Sequence, residues 1–147
     1  MTDIVLICGG RQFGHLNPFL PKEEFKRRLG ERIFAFLWLR THILPLNPRI
    51  IGGLATGADD IGKEWAAYWG LDFDPYPADW DKHGKKAGAL RNVEMLKKGK
   101  PTKVVAFPGG SGTAHMVRIA KEAGVEVLEI EYPTGQQTRT PGVQLSP

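Results

Sequence analysis

The sequence is poor in cysteine and in long apolar runs, and each shortage excludes a class of protein. A single cysteine, Cys8, rules out an internal disulfide and fits a reducing compartment, so we expect a cytoplasmic protein. The longest apolar run, IFAFLWL, is far shorter than the roughly 18 residues that identify a membrane-spanning helix. The first residues, MTDIVLICGG, lack the basic segment of a signal peptide. We therefore expect no membrane partner.

The composition otherwise indicates one globular domain. The 147 residues are 41% hydrophobic and 24% charged, which is enough to bury a core. The formal net charge of +4 suits a phosphate-bearing ligand as well as a polyanion, and basic residues are densest between positions 82 and 103. The four histidines show no metal-ligand spacing, so we expect no metal site and no cofactor.

Short apolar runs alternate with segments of helical period, which predicts an α/β fold with a parallel sheet. Strands are predicted at residues 4–8, 49–51, 71–76, 103–107 and 125–130, and helices at 21–42, 60–69, 87–98 and 112–123. We expect a single Rossmann-like domain at residues 1–132, with about five strands flanked by helices. Residues 133–147 are polar and rich in proline and glycine, which predicts a flexible C-terminal tail.

Some details of the helices are specific enough to test. Gly30 predicts a bend or break in the first helix, because glycine costs about 1 kcal/mol relative to alanine in a helix interior. In the first helix apolar residues recur at helical spacing, at Phe25, Leu29, Ile33, Phe36, Leu37 and Leu39. In the second, Ile61, Trp65 and Trp69 lie on one side, and the two tryptophans are expected to pack in the core. In the third, Leu90, Met95 and Leu96 are expected to face inward. Cys8 closes a buried strand and is expected to be a core residue.

Three glycine-rich segments each follow a predicted strand: CGGRQF at 8–13, GGLATGADD at 52–60 and PGGSGT at 108–113. In an open parallel sheet such loops share one edge, and ligands bind where the strand order reverses. For a strand order of 3-2-1-4-5 the reversal falls between strands one and four, so the three loops should converge. The predicted ligand-binding residues are Gly9, Gly10, Arg11, Gly53, Ala55, Gly57, Asp59, Arg91, Asn92, Pro108, Gly109, Gly110, Ser111, Gly112 and Thr113.

The third segment has the features of a phosphate site. Glycines let the backbone approach an anion, and the helix that follows offers N–H groups and a partial positive charge. Ser111 and Thr113 either cap that helix or donate hydrogen bonds to phosphate oxygens. Arg11 adds a forked cation at the same edge, and Asp59 either caps its own helix or accepts hydrogen bonds from ribose hydroxyls.

Five motifs then occur in one order. They are GGR-x-F at 9–13, G-x-A-x-G-A-D at 53–59, PADW at 77–80, AG-x-x-RN-x-x-M at 87–95 and FPGG-x-GT-x-x-MV-x-x-A at 107–120. Together they closely resemble the YspA-like, YpsA-related branch of the SLOG superfamily, over residues 4–130. The resemblance implies a Rossmann-like fold, a nucleotide or nucleotide-derived ligand such as an ADP-ribose derivative, and a homo-oligomer, as in the related lonely-guy phosphoribohydrolases.

The lonely-guy enzymes release a base from a nucleoside monophosphate, and their motif PGG-x-GT-x-x-E ends in a glutamate. Met116 occupies that position here and can neither orient the ribose nor stabilise an oxocarbenium-like sugar. The remaining candidates for a catalytic carboxylate are Asp59, Asp60 and Glu94, although Glu94 also fits an intrahelical ion pair with Arg91.

We therefore expect a binding protein, a sensor or a sequestering protein, for a phosphorylated nucleotide-derived small molecule. A nucleotide N-glycosidic hydrolase is the first alternative. A single-stranded nucleic-acid binder that uses residues 82–103 is the second. Trp80 is the one aromatic residue near that basic segment, which weakens the second alternative.

Overall fold

The computed structural model describes residues 2–133, which form five strands and five α-helices. In chain order these are β1 (Ile4–Cys8), α1 (Lys22–His42), β2 (Arg49–Gly52), α2 (Ala58–Trp69), β3 (Phe73–Pro75), α3 (Trp80–His83), α4 (Ala87–Gly99), β4 (Lys103–Ala106), α5 (Ser111–Glu122) and β5 (Glu126–Glu129). Turns of 3₁₀ helix at Leu44–Leu46 and Gly84–Lys86 precede β2 and α4. The predicted α/β fold is confirmed. The predicted tail, apart from its first residue, lies outside the described residues.

All five strands are parallel and lie in the order β3-β2-β1-β4-β5. Leu6 of the central strand β1 aligns with Ile51 of β2 on one side and with Val104 of β4 on the other. The chain runs outward from β1 to β3 and then crosses back to add β4 and β5. The strand order therefore reverses between β1 and β4, as predicted for a Rossmann-like sheet.

Successive side chains of β1 enter two separate core layers, because a strand presents alternate residues to opposite faces. Val5 and Ile7 pack with the buried residues of α1 and α2. Leu6 and Cys8 pack with those of α4 and α5. Both faces of the sheet are thus covered, which explains why the central strands β1, β2 and β4 are mostly apolar.

Helix α1 continues without a break through Gly30, so the predicted break is wrong. A Cβ atom at Gly30 would lie 2.9 Å from the hydroxyl oxygen of Tyr132. The glycine therefore makes room for a neighbouring side chain and does not interrupt the helix.

The apolar period of α1 matches its buried face only in part. Leu39 is buried, whereas Leu29, Ile33 and Leu37 are exposed, and the other buried residues of the helix are Arg28, Glu31 and Ala35. Glu31 is turned inward because its Oε1 accepts a hydrogen bond of 2.9 Å from the backbone N–H of Gly14, in the loop after β1. The orientation of α1 therefore follows from this hydrogen bond to the loop as well as from apolar packing, and the spacing of apolar residues alone does not determine it.

Two further core predictions fail at the ends of helices, whereas Ile61, Trp65 and Met95 are buried as predicted. Trp69 is 38% exposed in the last turn of α2, where its ring meets the ring of Tyr68 edge-on. Leu90 is 46% exposed because α4 packs through other residues, Ala87, Asn92 and Met95. Residues predicted as loop form α3, whose first turn is capped by the Asp79 carboxylate, 3.1 Å from the backbone nitrogen of Lys82.

Candidate functional site

The three glycine-rich loops meet at the carboxyl edge of the sheet through backbone contacts. The N–H of Gly10, after β1, donates to the carbonyl of Pro108, after β4, at 2.9 Å. The carbonyl of Gly10 accepts a hydrogen bond of 3.1 Å from the N–H of Ala58, at the start of α2. The Thr56 hydroxyl adds a hydrogen bond of 3.0 Å to the carbonyl of Arg11. The first loop is therefore held between the other two.

Glycine is required where these loops touch. Gly57 has a φ of +78°, and a Cβ atom there would collide with the carbonyl oxygens of Gly10 and Arg11. A Cβ atom at Gly10 would lie 2.9 Å from the carbonyl oxygen of Pro108. Side chains at these positions would force the loops apart. These glycines are therefore needed for the loops to pack together, independently of any contact with a ligand.

A cavity of about 570 Å³ opens over the place where the strand order reverses. Eleven of the predicted ligand-binding residues line it: Gly9, Gly10, Arg11, Ala55, Asp59, Arg91, Asn92, Gly110, Ser111, Gly112 and Thr113. The other predicted residues have different places. Gly53 lies behind the Arg91 guanidinium, Gly57 lies under the first loop, and Pro108 and Gly109 border a smaller cavity beside the glycine turn.

The N-terminus of α5 forms one end of the cavity. Gly110 is the N-cap residue, and no side chain of the described residues caps the helix by a hydrogen bond. Ser111 and Thr113 are therefore not engaged in capping, which was one of their two predicted roles. Three residues of the first turn, Ser111, Gly112 and Thr113, line the cavity with their N–H groups at the positive end of the helix dipole.

Asp59 is the acidic residue of the cavity, and it does not cap α2 as one prediction had it. The N-cap residue of α2 is Gly57, and Asp59 Oδ2 instead accepts a 3.3 Å hydrogen bond from the N–H of Ala55. Burial raises the pKa of Asp59 to about 6, while Arg91, the Ala55 amide and Arg11 lower it less strongly. The carboxylate is thus enclosed and electrostatically coupled to two arginines.

Arg91 and Asn92 connect α4 to the rest of the site. Arg91 Nη1 lies 4.0 Å from Asp59 Oδ2, and Arg91 Nε donates a 3.1 Å hydrogen bond to Asn92 Oδ1. Asn92 Nδ2 then donates to the carbonyl of Gly112 at 3.2 Å and lies 3.1 Å from His115 Nδ1. Because the Asn92 nitrogen can only donate, its contact with His115 is a hydrogen bond when His115 Nδ1 is the acceptor.

The other two candidates for a catalytic carboxylate lie away from the cavity. Asp60 Oδ2 is 4.0 Å from Arg32, on the α1 side of α2. Glu94 is exposed on α4 and pairs with Lys98 at 3.3 Å. The predicted ion pair between Glu94 and Arg91 is therefore wrong, because Arg91 turns toward Asp59 instead.

The cavity also contains residues that the sequence did not assign to it, namely Cys8, Trp80, Lys85, His115 and Met116. His115 and Met116 follow the glycine turn by one helical turn, which was the available signal. Met116 is fully buried in the cavity wall. Cys8 is buried as predicted, and burial, with Asp59 nearby, raises the pKa of its thiol to about 12, so the thiol stays protonated at neutral pH.

The basic segment at residues 82–103 is partly neutralised by carboxylates. Lys98 pairs with Glu94, and Lys103 pairs with Glu126 at 2.6 Å. Lys85 and Arg91 are the basic residues of the segment that line the cavity. Within residues 2–133, no group of three His, Cys, Asp or Glu side chains is arranged to hold a metal ion, and no helix is long and apolar enough to cross a membrane.

Comparison with known proteins gives one informative relative. No model of a protein family matches the chain. A curated protein, the Gene 61 protein of Mycobacterium phage D29, is 44% identical over 96 residues, a match that covers 59% of this chain and 74% of the phage protein. The name of that phage protein states no activity, ligand or partner.

Proposed function

The chain belongs to the same family as the Gene 61 protein of Mycobacterium phage D29, and we propose that it binds a phosphorylated nucleotide or nucleotide-derived ligand of the ADP-ribose type. It would act as a sensor or a sequestering protein. Membership of the SLOG superfamily is part of the same proposal, since the motifs behind that resemblance are the ones that build the cavity.

The observation that carries the proposal is the convergence of three glycine loops around one cavity. The first turn of α5 offers backbone N–H groups at Ser111 and Gly112 to a phosphate. Arg11, on the rim, adds a cation that can form forked hydrogen bonds to phosphate oxygens. Asp59 is within the same cavity and is suited to accept hydrogen bonds from ribose hydroxyls. The cavity thus offers complementary groups both to the phosphate and to the ribose hydroxyls of a sugar phosphate.

Calorimetry with a small panel of ligands tests the proposal. The panel is AMP, ADP-ribose, NAD and ribose 5-phosphate, with adenosine as the control that lacks phosphate. We expect at least one phosphorylated compound to bind and adenosine to bind at least ten-fold more weakly than AMP. No binding by any phosphorylated compound, or equal binding of AMP and adenosine, would remove the proposal.

A second candidate function, hydrolysis of a nucleotide N-glycosidic bond, is favoured by the position of Asp59. With a pKa of about 6, Asp59 is mostly ionised at neutral pH and can accept a proton from a water molecule that attacks C1′ of the ribose. The C1′–N bond then breaks, its electron pair goes to the base nitrogen, and the base takes up a proton. Met116 in the cavity wall supplies none of the charge stabilisation that this transition state needs.

Chromatography separates the two candidates. If the protein only binds, incubation with AMP or NAD leaves no free base above the level of a protein-free control. Release of base that disappears in Asp59→Asn would support hydrolysis. Neither candidate needs a nucleic-acid partner, and the homodimer implied by the resemblance is a separate prediction that sedimentation would test.

A further inference from the structure

We infer that the ligand carries a flat heteroaromatic base and that this base stacks on Trp80, in a compartment beside the phosphate turn. The inference deepens the proposed function and rests on it, because it assigns the third part of a nucleotide after the phosphate and the ribose. It distinguishes a nucleotide from a sugar phosphate, which the main cavity alone does not do.

The compartment is a second cavity of about 360 Å³ that shares a wall with the main one. Arg11, Trp80 and Arg91 line both cavities, so a ligand that extends past these side chains occupies both. The second cavity lies over the ends of β2 and β3, and the α5 turn lies after β4. Strand ends two positions apart in a sheet are separated by about 10 Å, which leaves room for a ribose between a phosphate and a base.

The second cavity contains an apolar patch beside polar groups. The main cavity presents the glycine turn, Asp59 and Asn92, which are hydrogen-bonding groups. The second cavity has no carboxylate among the described residues of its lining, and it adds Leu54, Pro77 and Ala78 to the Trp80 ring, next to Arg11, Thr56 and Arg91. Leu54 and Trp80 are each 47% exposed, so apolar surface faces water at this place. A planar base would cover that surface, whereas a sugar phosphate lacks the apolar face to do so.

Trp80 already has a contact with a charged side chain of the site. The Arg11 guanidinium carbon lies 5.1 Å from the centre of the indole ring, within the range of a cation–π contact. Gly88 of α4 lies near the edge of the indole, and a Cβ atom there would be at an ordinary contact distance of 3.5 Å from Trp80 Cη2. A half-exposed aromatic ring that borders both cavities and contacts Arg11 is a suitable stacking platform.

The test compares AMP with ribose 5-phosphate on four forms of the full chain: native, Trp80→Leu, Trp80→Phe and Trp69→Phe. Affinities are measured by calorimetry, and tryptophan fluorescence is followed in the same titrations. Trp69 is the matched control because it is also partly exposed but lies in the last turn of α2, at the end of the helix remote from the cavity.

We expect AMP to quench the fluorescence of the native protein and of Trp69→Phe but not that of Trp80→Phe. Trp80→Leu should bind AMP at least ten-fold more weakly, which is the usual size of a base–aromatic stacking effect, while ribose 5-phosphate affinity changes less than three-fold. Trp80→Phe, which keeps a ring, should stay within three-fold of native. Melting temperatures show whether each variant folds. If Trp80→Leu does not fold, the fluorescence quenching of the native protein and of Trp80→Phe decides whether the base stacks on Trp80.

Two results would overturn the inference in different ways. If AMP binds without quenching Trp80, and Trp80→Leu weakens AMP and ribose 5-phosphate equally or not at all, the base does not stack on Trp80, and the proposed function stands. If neither AMP nor ribose 5-phosphate binds the native protein while ADP-ribose and NAD also fail, both the inference and the proposed function are lost.

Discussion

The Arg91 guanidinium lies 4.0 Å from the Asp59 carboxylate, measured from Nη1 to Oδ2, and both side chains are largely enclosed. Asp59 belongs to α2 and Arg91 to α4, which cover opposite faces of the sheet. The two side chains meet over Gly53, where a Cβ atom would collide with the guanidinium and lie 2.8 Å from Asp59 Oδ2. The pair therefore depends on a glycine that itself does not line the cavity.

The burial of Asp59 makes the stability of the fold depend on pH. Burial raises the pKa of Asp59 from 3.8 to about 6. A carboxyl group whose pKa is higher in the folded chain holds its proton more tightly when folded, so the free energy of unfolding falls as the pH rises from about 4 to about 6. The loss is on the order of 3 kcal/mol, and it is complete above that window. Urea unfolding at intervals from pH 4 to pH 7 measures it.

The matched variant for this prediction is Asp59→Asn, which has the same shape and does not titrate. Its stability should lack the fall between pH 4 and pH 6, whatever constant offset arises from leaving Arg91 without its partner. Parallel pH profiles of the native protein and the variant would show that Asp59 does not have a raised pKa in the folded chain.

A charge at the N-terminus of α5 should abolish ligand binding without unfolding the protein. A Cβ atom at Gly110 would meet no atom within 4 Å, and its φ of −104° is accessible to any residue. Gly110→Glu adds a carboxylate where the phosphate is proposed to bind, so we expect at least a ten-fold loss of affinity for the phosphorylated ligand, with the melting temperature nearly unchanged.

Gly110→Gln separates charge from bulk in this experiment, because it has the same size and no charge. It should retain most of the affinity that Gly110→Glu loses. An unchanged affinity in Gly110→Glu would place the phosphate elsewhere than at the glycine turn, and equal losses in both variants would show that bulk alone blocks the site.

The parallel sheet could be predicted from the sequence because strands alternate with helices along the chain. Apolar runs followed by glycine-rich turns indicated β1, β2 and β4, and the order of a Rossmann-like sheet then brought their loops together. The buried face of α1 could not be predicted, since it depends on the hydrogen bond between Glu31 and the Gly14 amide, 17 residues away in sequence. Periodicity along one helix contains no information about such a contact.

The site residues divide in the same way. Gly10 and Ser111 lie in motifs directly after strands, so their place at the sheet edge follows from topology. Trp80 reaches the cavity only because α3 packs against α4, which in turn packs against α5. The partner of Arg91 was predicted as Glu94, three residues along the same helix, whereas the structure selects Asp59 from another helix. Spacing along one helix indicates a partner three or four residues away, such as Glu94, and contains no information about a partner on another helix, such as Asp59.

A glycine at the contact between two loops should tolerate substitution less well than a glycine whose only constraint is a positive φ. Gly57 and Gly70 both have positive φ, +78° and +69°. A Cβ atom at Gly70 meets nothing within 4 Å, whereas one at Gly57 collides with the carbonyl oxygens of Gly10 and Arg11. We expect Gly70→Ala to cost about 1 kcal/mol from strain, and Gly57→Ala to cost at least 2 kcal/mol more because the loops must separate.

Urea unfolding of the two variants measures this difference, and calorimetry shows its effect on the site. Gly57→Ala should lose ligand affinity together with stability, since the first loop carries Arg11, while Gly70→Ala should bind normally. Similar stability of the two variants would mean that the contact between the second loop and the first does not hold the site together.

Asn92 joins α4 to the first turn of α5, and its removal should disturb the phosphate turn. The side chain is 5% exposed, accepts from Arg91 Nε at 3.1 Å and donates to the carbonyl of Gly112 at 3.2 Å. Asn92→Ala leaves both partners without this contact, which should cost roughly 2–3 kcal/mol of unfolding free energy. Glu94→Ala, on the exposed side of the same helix, removes only a surface ion pair and should cost less than about 0.5 kcal/mol.

Ligand affinity distinguishes a structural role of Asn92 from a role in the site. The Asn92 amide orients both the Gly112 carbonyl and the Arg91 guanidinium. Asn92→Ala should therefore weaken binding of the phosphorylated ligand at least ten-fold, measured without denaturant at a temperature where the variant is fully folded. Glu94→Ala should bind as the native protein does, since its carboxylate lies outside the cavity. Normal binding by a folded Asn92→Ala would show that the first turn of α5 holds its position without the contact to α4. The geometry of the site would then depend on the loop contacts alone.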